Sequence, residues 1–109
     1  MKKIYKYSIT SDLALVAGIS NSADIELPKG SIIRFCGVQN GWINVWVEID
    51  PNESQMELYE FIVYGTGYDI PNKSNYVGTV MLDNGTFVYH VYYRKYNGLL
   101  WARKSQYFG

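Results

Sequence analysis

Between Ser31 and Ile49 the chain reads SIIRFCGVQNGWINVWVEI, two runs rich in β-branched and aromatic residues on either side of Asn40-Gly41. This pattern predicts a β-hairpin on a two-residue type I′ turn, whose central residues both take φ > 0 and whose twist matches that of the flanking strands. The turn sets the register. Gln39 falls opposite Trp42, Val38 opposite Ile43 and Cys36 opposite Val45; continued outward, Arg34 meets Val47 and Ile32 meets Ile49. One face then carries Val38, Ile43, Cys36, Val45, Val47, Ile32 and Ile49, with Arg34 as its single charge, and is the expected core. The other holds Trp42, Asn44, Phe35, Trp46, Ile33 and Glu48 and is too apolar for a solvated surface. It calls for a cover, either a second layer of the same domain or a ligand or neighbouring subunit.

The remaining pattern is also strand-like. Ile4, Tyr5, Tyr7 and Ile9 predict a first strand whose flanking Lys3 and Lys6 suit a sheet edge. Ser11-Asp12 can cap one turn of helix over Leu13 to Ala17, which Gly18 and the Ser20-Asn21-Ser22 cluster then stop. Asp24 to Leu27 predicts a short strand ended by Pro28 and Gly30, Asp50-Pro51-Asn52-Glu53-Ser54 a turn, and Leu58 to Tyr64 another strand. A long polar loop over Gly65 to Asn75 precedes a second hairpin, Tyr76 to Leu82 and Thr86 to Tyr93 around Asp83-Asn84-Gly85. A two-residue turn at Asn84-Gly85 puts Thr79 with His90 and Val80 with Tyr89, whereas a three-residue turn slips that register. Asn97-Gly98 can fold the last strand back, pairing Arg94 with Trp101 and Tyr92 with Arg103. Three Asn-Gly turns leave little room for helix. The expected fold is mainly β, a small antiparallel sandwich or partly open barrel of six to eight strands, forming one domain over residues 1–109 with a C-terminal hairpin extension over 94–109.

Length narrows this further: 109 residues suffice for one domain that buries roughly two-thirds of its unfolded surface. Cys36 is the only cysteine and lies on the core face, so no disulfide is expected and a reducing compartment is the natural assignment. No apolar run approaches the ~20 residues of a transmembrane helix. Leu13 to Ile19 follows polar Ser8, Thr10, Ser11 and Asp12, which argues against a secretory signal. Eleven tyrosines and three tryptophans favour strands and interfaces. The net charge is zero but segregated: Glu48 to Glu60 holds five acids and no base, and beyond Asp83 there are four Lys or Arg and no acid. Such a chain can attract its own copies, and with its excess of aromatic surface a homo-oligomer, most simply a two-fold dimer, is expected; without an overall basic excess nucleic acid is not an expected partner.

KIYKY at Lys3 to Tyr7, ELPKG at Glu26 to Gly30, VQNG at Val38 to Gly41, a Trp followed by an Asp-Pro turn, YGTGYDIP at Tyr64 to Pro71, YVGTV at Tyr76 to Val80 and FVYHVY at Phe87 to Tyr92 together resemble a family of small phage and prophage proteins with no established function. The likeness covers about Lys3 to Tyr93. It breaks at a longer segment between Ile9 and Asp24 and at the tail. The resemblance implies a protein of the host cell cytoplasm and an anti-defence role, either capturing a nucleotide-type immune signal or blocking a host defence protein; a structural or assembly component is the further alternative.

Catalytic patterns are absent at the level of motif. His90, the single histidine, lies in an alternating strand and reads as a packed or hydrogen-bonded residue. One His and one Cys argue against zinc, and no cofactor is implied. Glu53, Glu57 and Glu60 read as a solvated acidic face, since nothing near them would raise one carboxyl selectively. Gly65-Thr66-Gly67 can form a backbone nest for an anion or a plain hinge; it lacks the Lys-Ser/Thr of a P-loop. The expected chemistry is therefore binding without catalysis. The candidate ligand residues are Tyr92, Arg94, Trp101 and Arg103, where rings and guanidinium groups alternate on one face of the last hairpin, together with Gly65, Thr66 and Gly67. Rings stack a base and Arg matches phosphate oxygens, so the expected ligand is an anionic, nucleotide-like molecule. In the competing reading Arg94 and Arg103 lie over Trp101 and Tyr92 as cation–π pairs or answer the acids of a neighbouring copy.

Overall fold

The computed structural model describes residues 1–96 of the chain. In order these form β1 (Lys3–Ser11), α1 (Asp12–Val16), β2 (Ser22–Pro28), β3 (Ile32–Gln39), β4 (Trp42–Ile49), β5 (Met56–Gly65), β6 (Asn75–Leu82) and β7 (Phe87–Lys95). Sheet 1 has the antiparallel order β1-β4-β3 and sheet 2 the order β2-β5-β7-β6. Their inner faces pack as a sandwich around Leu27, Ile43, Val45, Val47, Phe61 and Val91, each with no exposed surface. Of the two architectures expected, the sandwich is the one formed.

The central hairpin forms on the expected turn, with Asn40 at φ 53° and Gly41 at φ 78°, and pairs Gln39, Val38 and Cys36 with Trp42, Ile43 and Val45. Further out the expected register is wrong. A bulge between Ile33 and Phe35 shifts the pairing, so Ile33 meets Val47 and Ile32 meets Glu48. Arg34, expected on the core face, is the extra residue and bonds Glu48 through Nε at 3.2 Å and Nη2 at 3.1 Å. Continuing the regular ladder would bury an unpaired guanidinium, which is costly; the bulge delivers apolar Ile33 to the core in its place. Ile32, also expected in the core, is thereby turned outward.

A second bulge, between Ser8 and Thr10, turns both Ile9 and Thr10 inward, and the Thr10 hydroxyl donates to the Ser20 carbonyl at 2.9 Å. The chain then enters α1, where the Ser11 hydroxyl accepts the Ala14 N–H at 3.1 Å. β1 is a sheet edge, as its lysines suggest. The 50–54 turn closes with the Asn52 N–H on the Asp50 carboxylate at 3.0 Å.

In the second hairpin Leu82 pairs with Phe87 and Thr79 with His90. The register is that of the two-residue turn, although the loop spans four residues, with Asp83, Asn84 and Gly85 all at positive φ. β3 lies along β6 and closes one side of the sandwich, where a Cβ on Gly78 would stand 2.7 Å from Cys36 Sγ. Arg94 and Lys95 belong to β7 in sheet 2; the rest of the expected C-terminal hairpin, including the Asn97-Gly98 turn, lies outside the described residues. Among the described residues no second layer covers the outer face of sheet 1, contrary to the first of the two expectations: Phe35 is 61% exposed and Trp42 47%.

Candidate functional site

β5 and β7 form the central pair of sheet 2 and run to an end at which Gly65 faces Tyr89. Past Gly65 the chain turns sharply: the Tyr68 N–H donates to the Gly65 carbonyl at 3.3 Å and Gly67 sits at φ 93°, as at the third position of a type II turn. The turn lays the Tyr68 ring against Gly65, where an added Cβ would come within 3.0 Å of ring carbon Cε2. Opposite, Asn21 is stapled to β5, its side-chain amide donating to the Val63 carbonyl at 3.2 Å and its backbone carbonyl accepting the Val63 N–H at 2.8 Å.

Between these walls opens a cleft of about 530 Å³, lined by Tyr64, Tyr68, Phe87 and Tyr89, by aliphatic Leu15, Val63 and Val88, and by the hydroxyl residues Thr66 and Thr86. No charged residue lines it among those described. Its size falls within the range of small-molecule sites, and its chemistry suits an uncharged ring.

Thr66 links the cleft to the outer face of sheet 2. Its hydroxyl lies 2.9 Å from His90 Nε2, and His90 Nδ1 lies 2.9 Å from the Thr79 hydroxyl, which is 2.6 Å from the Tyr76 hydroxyl. Both imidazole nitrogens are thus engaged by threonines. Alongside this row Tyr92 packs edge-on between Tyr64 and Tyr76, with centroids at 5.7 and 5.4 Å. Burial, above all, raises the Tyr64 phenol pKa.

Farther along the same face Arg94 lies opposite Glu60 and bonds Glu60 Oε1 through both Nε, at 3.1 Å, and Nη2. This bond is the main cause of the raised Arg94 pKa. The Tyr96 hydroxyl donates to Asp24 at 3.3 Å; burial, then the Glu60 and Asp24 carboxylates, push its pKa up to about 12. Gly65 and Thr66 therefore line the cleft and Gly67 shapes its turn, whereas Tyr92 lies on the outer face of sheet 2 between Tyr64 and Tyr76. Arg94 shares the face but spends its guanidinium on Glu60. Trp101 and Arg103 lie outside the described residues.

The cleft rings Tyr68, Phe87 and Tyr89 did not emerge from the sequence. Tyr68 adjoins the glycine turn and could have been suspected; Tyr89 meets Gly65 only through the β5–β7 pairing, which joins strands distant in the chain. Among the described residues no group of three or more His, Cys, Asp or Glu is placed to hold a metal ion, and no helix is long and apolar enough to cross a membrane.

Residues 1–99 match the sequence profile of a family described as a domain of unknown function (DUF7352), and the chain belongs to that family. No curated protein and no solved structure matches it.

Proposed function

We propose that this chain is a non-enzymatic binding protein that holds a nucleotide-type small molecule by its ring in the cleft at the end of sheet 2. The observation that carries the reading is the cleft itself: about 530 Å³, lined by the aromatic residues Tyr68, Phe87 and Tyr89 beside Tyr64, and free of charge among the described lining residues. The base supplies most of the affinity by stacking, and the sugar and phosphate leave toward Thr66, whose hydroxyl leads to His90. Capture rather than turnover is supported by His90, whose two ring nitrogens are both occupied by threonine hydroxyls. In the phage setting that the sequence resemblance implies, such a protein acts against host defence by withdrawing a nucleotide signal from solution.

The test is a thermal-shift panel of mononucleotides, cyclic nucleotides and ADP-ribose-type compounds, followed by calorimetry on the best binder. Tyr68 is 74% exposed, so Tyr68→Ala should fold normally and weaken binding about tenfold. Arg94→Gln should change affinity less, because that guanidinium already serves Glu60. A panel that shifts nothing, with no small molecule released from the denatured protein in mass spectrometry, rejects the reading.

A further inference from the structure

The outer face of sheet 1 exposes the rings of Phe35 and Trp42 and, at one end, Ile4 and Ile32 opposite Glu48. Phe35 of β3 lies opposite Trp46 of β4, their centroids 5.7 Å apart and the rings tilted at 48°. Trp42 projects from the same face of β4 four residues away, at roughly 13 Å for an extended strand. Between the two tryptophans the floor is low. Gly37 has no side chain, and a Cβ there would come within 3.1 Å of the Phe35 ring and 3.5 Å of Trp46. Asn44 is buried beside it, holding the Ser8 hydroxyl at 2.7 Å and the Trp42 carbonyl at 3.0 Å.

The charges on this face are mostly positive. Lys6 of β1 lies opposite Trp46, and its ammonium group donates to the side chain of Gln39 of β3, which lies opposite Trp42, at 2.7 Å. Arg34 is pushed onto the face by its bulge and is 52% exposed; Lys2 precedes β1 in the same alternation as Ile4 and Lys6. Within the three strands the one carboxylate on this face is Glu48, which Arg34 holds. Asp12 and Asp50 lie just beyond the strand ends.

We infer that the outer face of sheet 1 is a platform for single-stranded nucleic acid, with bases stacking on Phe35, Trp46 and Trp42 and phosphates passing over Lys6 and Lys2, since Arg34 already serves Glu48. Exposed rings on a flat sheet beside flexible cations are what a strand with unstacked bases requires, and a duplex, with its bases stacked inside, cannot use them. A second copy fits less well: in a two-fold contact the patch would have to supply the counter-charge to its own Lys6, and within the three strands its one carboxylate, Glu48, is already held by Arg34. The neutral net charge of the whole chain conceals this, because charge is summed over surfaces that face in different directions. The inference does not depend on the cleft, which lies in sheet 2.

The experiment is fluorescence anisotropy with labelled ~12-nucleotide single strands of DNA and RNA and a matched duplex, read together with tryptophan emission. Saturable binding of single strands over duplex is expected, with quenched tryptophan fluorescence. Phe35→Ala should weaken binding about tenfold at an unchanged melting temperature, since the ring is mostly exposed. Lys6→Gln should weaken all sequences alike and lower the salt slope by about one. The absence of saturable binding at low salt, equal binding of duplex, or indifference to Phe35→Ala overturns the inference. Light scattering that gives a dimer dissolved by Phe35→Glu, without strand binding, assigns the face to self-association instead.

Discussion

On the outer face of sheet 2, side chains meet partners across the strands or in the adjoining turn: Glu60 takes Arg94, His90 takes Thr79 and, from the turn after β5, Thr66, and Tyr92 packs between Tyr64 and Tyr76. On the outer face of sheet 1 polar pairs form too, Arg34 with Glu48, Lys6 with Gln39 and Ser8 with Asn44, but the rings Phe35 and Trp42 remain largely exposed. The two faces draw on similar residue types. Register separates them, since it decides whether a group is satisfied inside the molecule or left for something outside it. A bulge does the same for Arg34, which would otherwise point at Val47 in the core.

The contrast between buried and presented rings can be tested most sharply with two phenylalanines. Phe61→Ala removes a ring with no exposed surface and should cost about 3–5 kcal/mol in urea unfolding, whereas Phe35→Ala should stay within about 0.5 kcal/mol. Equal losses would show that Phe35 is a structural residue, and the platform reading would fail with it. Next in size is the buried polar floor of sheet 1. Asn44→Leu leaves the Ser8 hydroxyl and the Trp42 carbonyl without their partner and should cost about 1–3 kcal/mol, measured in the same way.

Gly41→Val should cost on the order of 1 kcal/mol or more, because a β-branched residue is strained at φ 78° and its Cβ would also approach Asp12 Oδ1 to 3.2 Å. An unchanged melting temperature would contradict that. The smallest effect belongs to the paired face of sheet 2 at high pH. The Tyr96 phenol pKa stands at about 12 in the folded chain, against 10.0 for an ordinary tyrosine. Both states keep the proton below pH 10; between 10 and 12 the unfolded chain releases it first, so stability should fall as pH rises through that window. Tyr96→Phe should flatten this part of the melting-temperature profile.

Local chemistry made much of the fold legible. Asn40-Gly41 specifies its turn and the first three cross-strand pairs because φ > 0 at two successive residues is a local demand, met with no help from the rest of the chain. Ser11 as a helix cap and the lysine-flanked edge strand are of the same kind. Thr66 and Gly67 were also visible as unusual residues, though not the cleft that Thr66 lines. The bulge at Arg34 was not readable, because it is set by competition between burying a guanidinium and breaking a regular ladder, and that competition exists only once a second sheet makes one face a core. Gly65 beside Tyr89, Arg94 beside Glu60 and the cleft between α1 and the ends of β5 and β7 are products of non-local strand pairing. Alternation along a strand says which residues share a face; only the packed sheets decide which strand lies next to which, and so which of those residues meet.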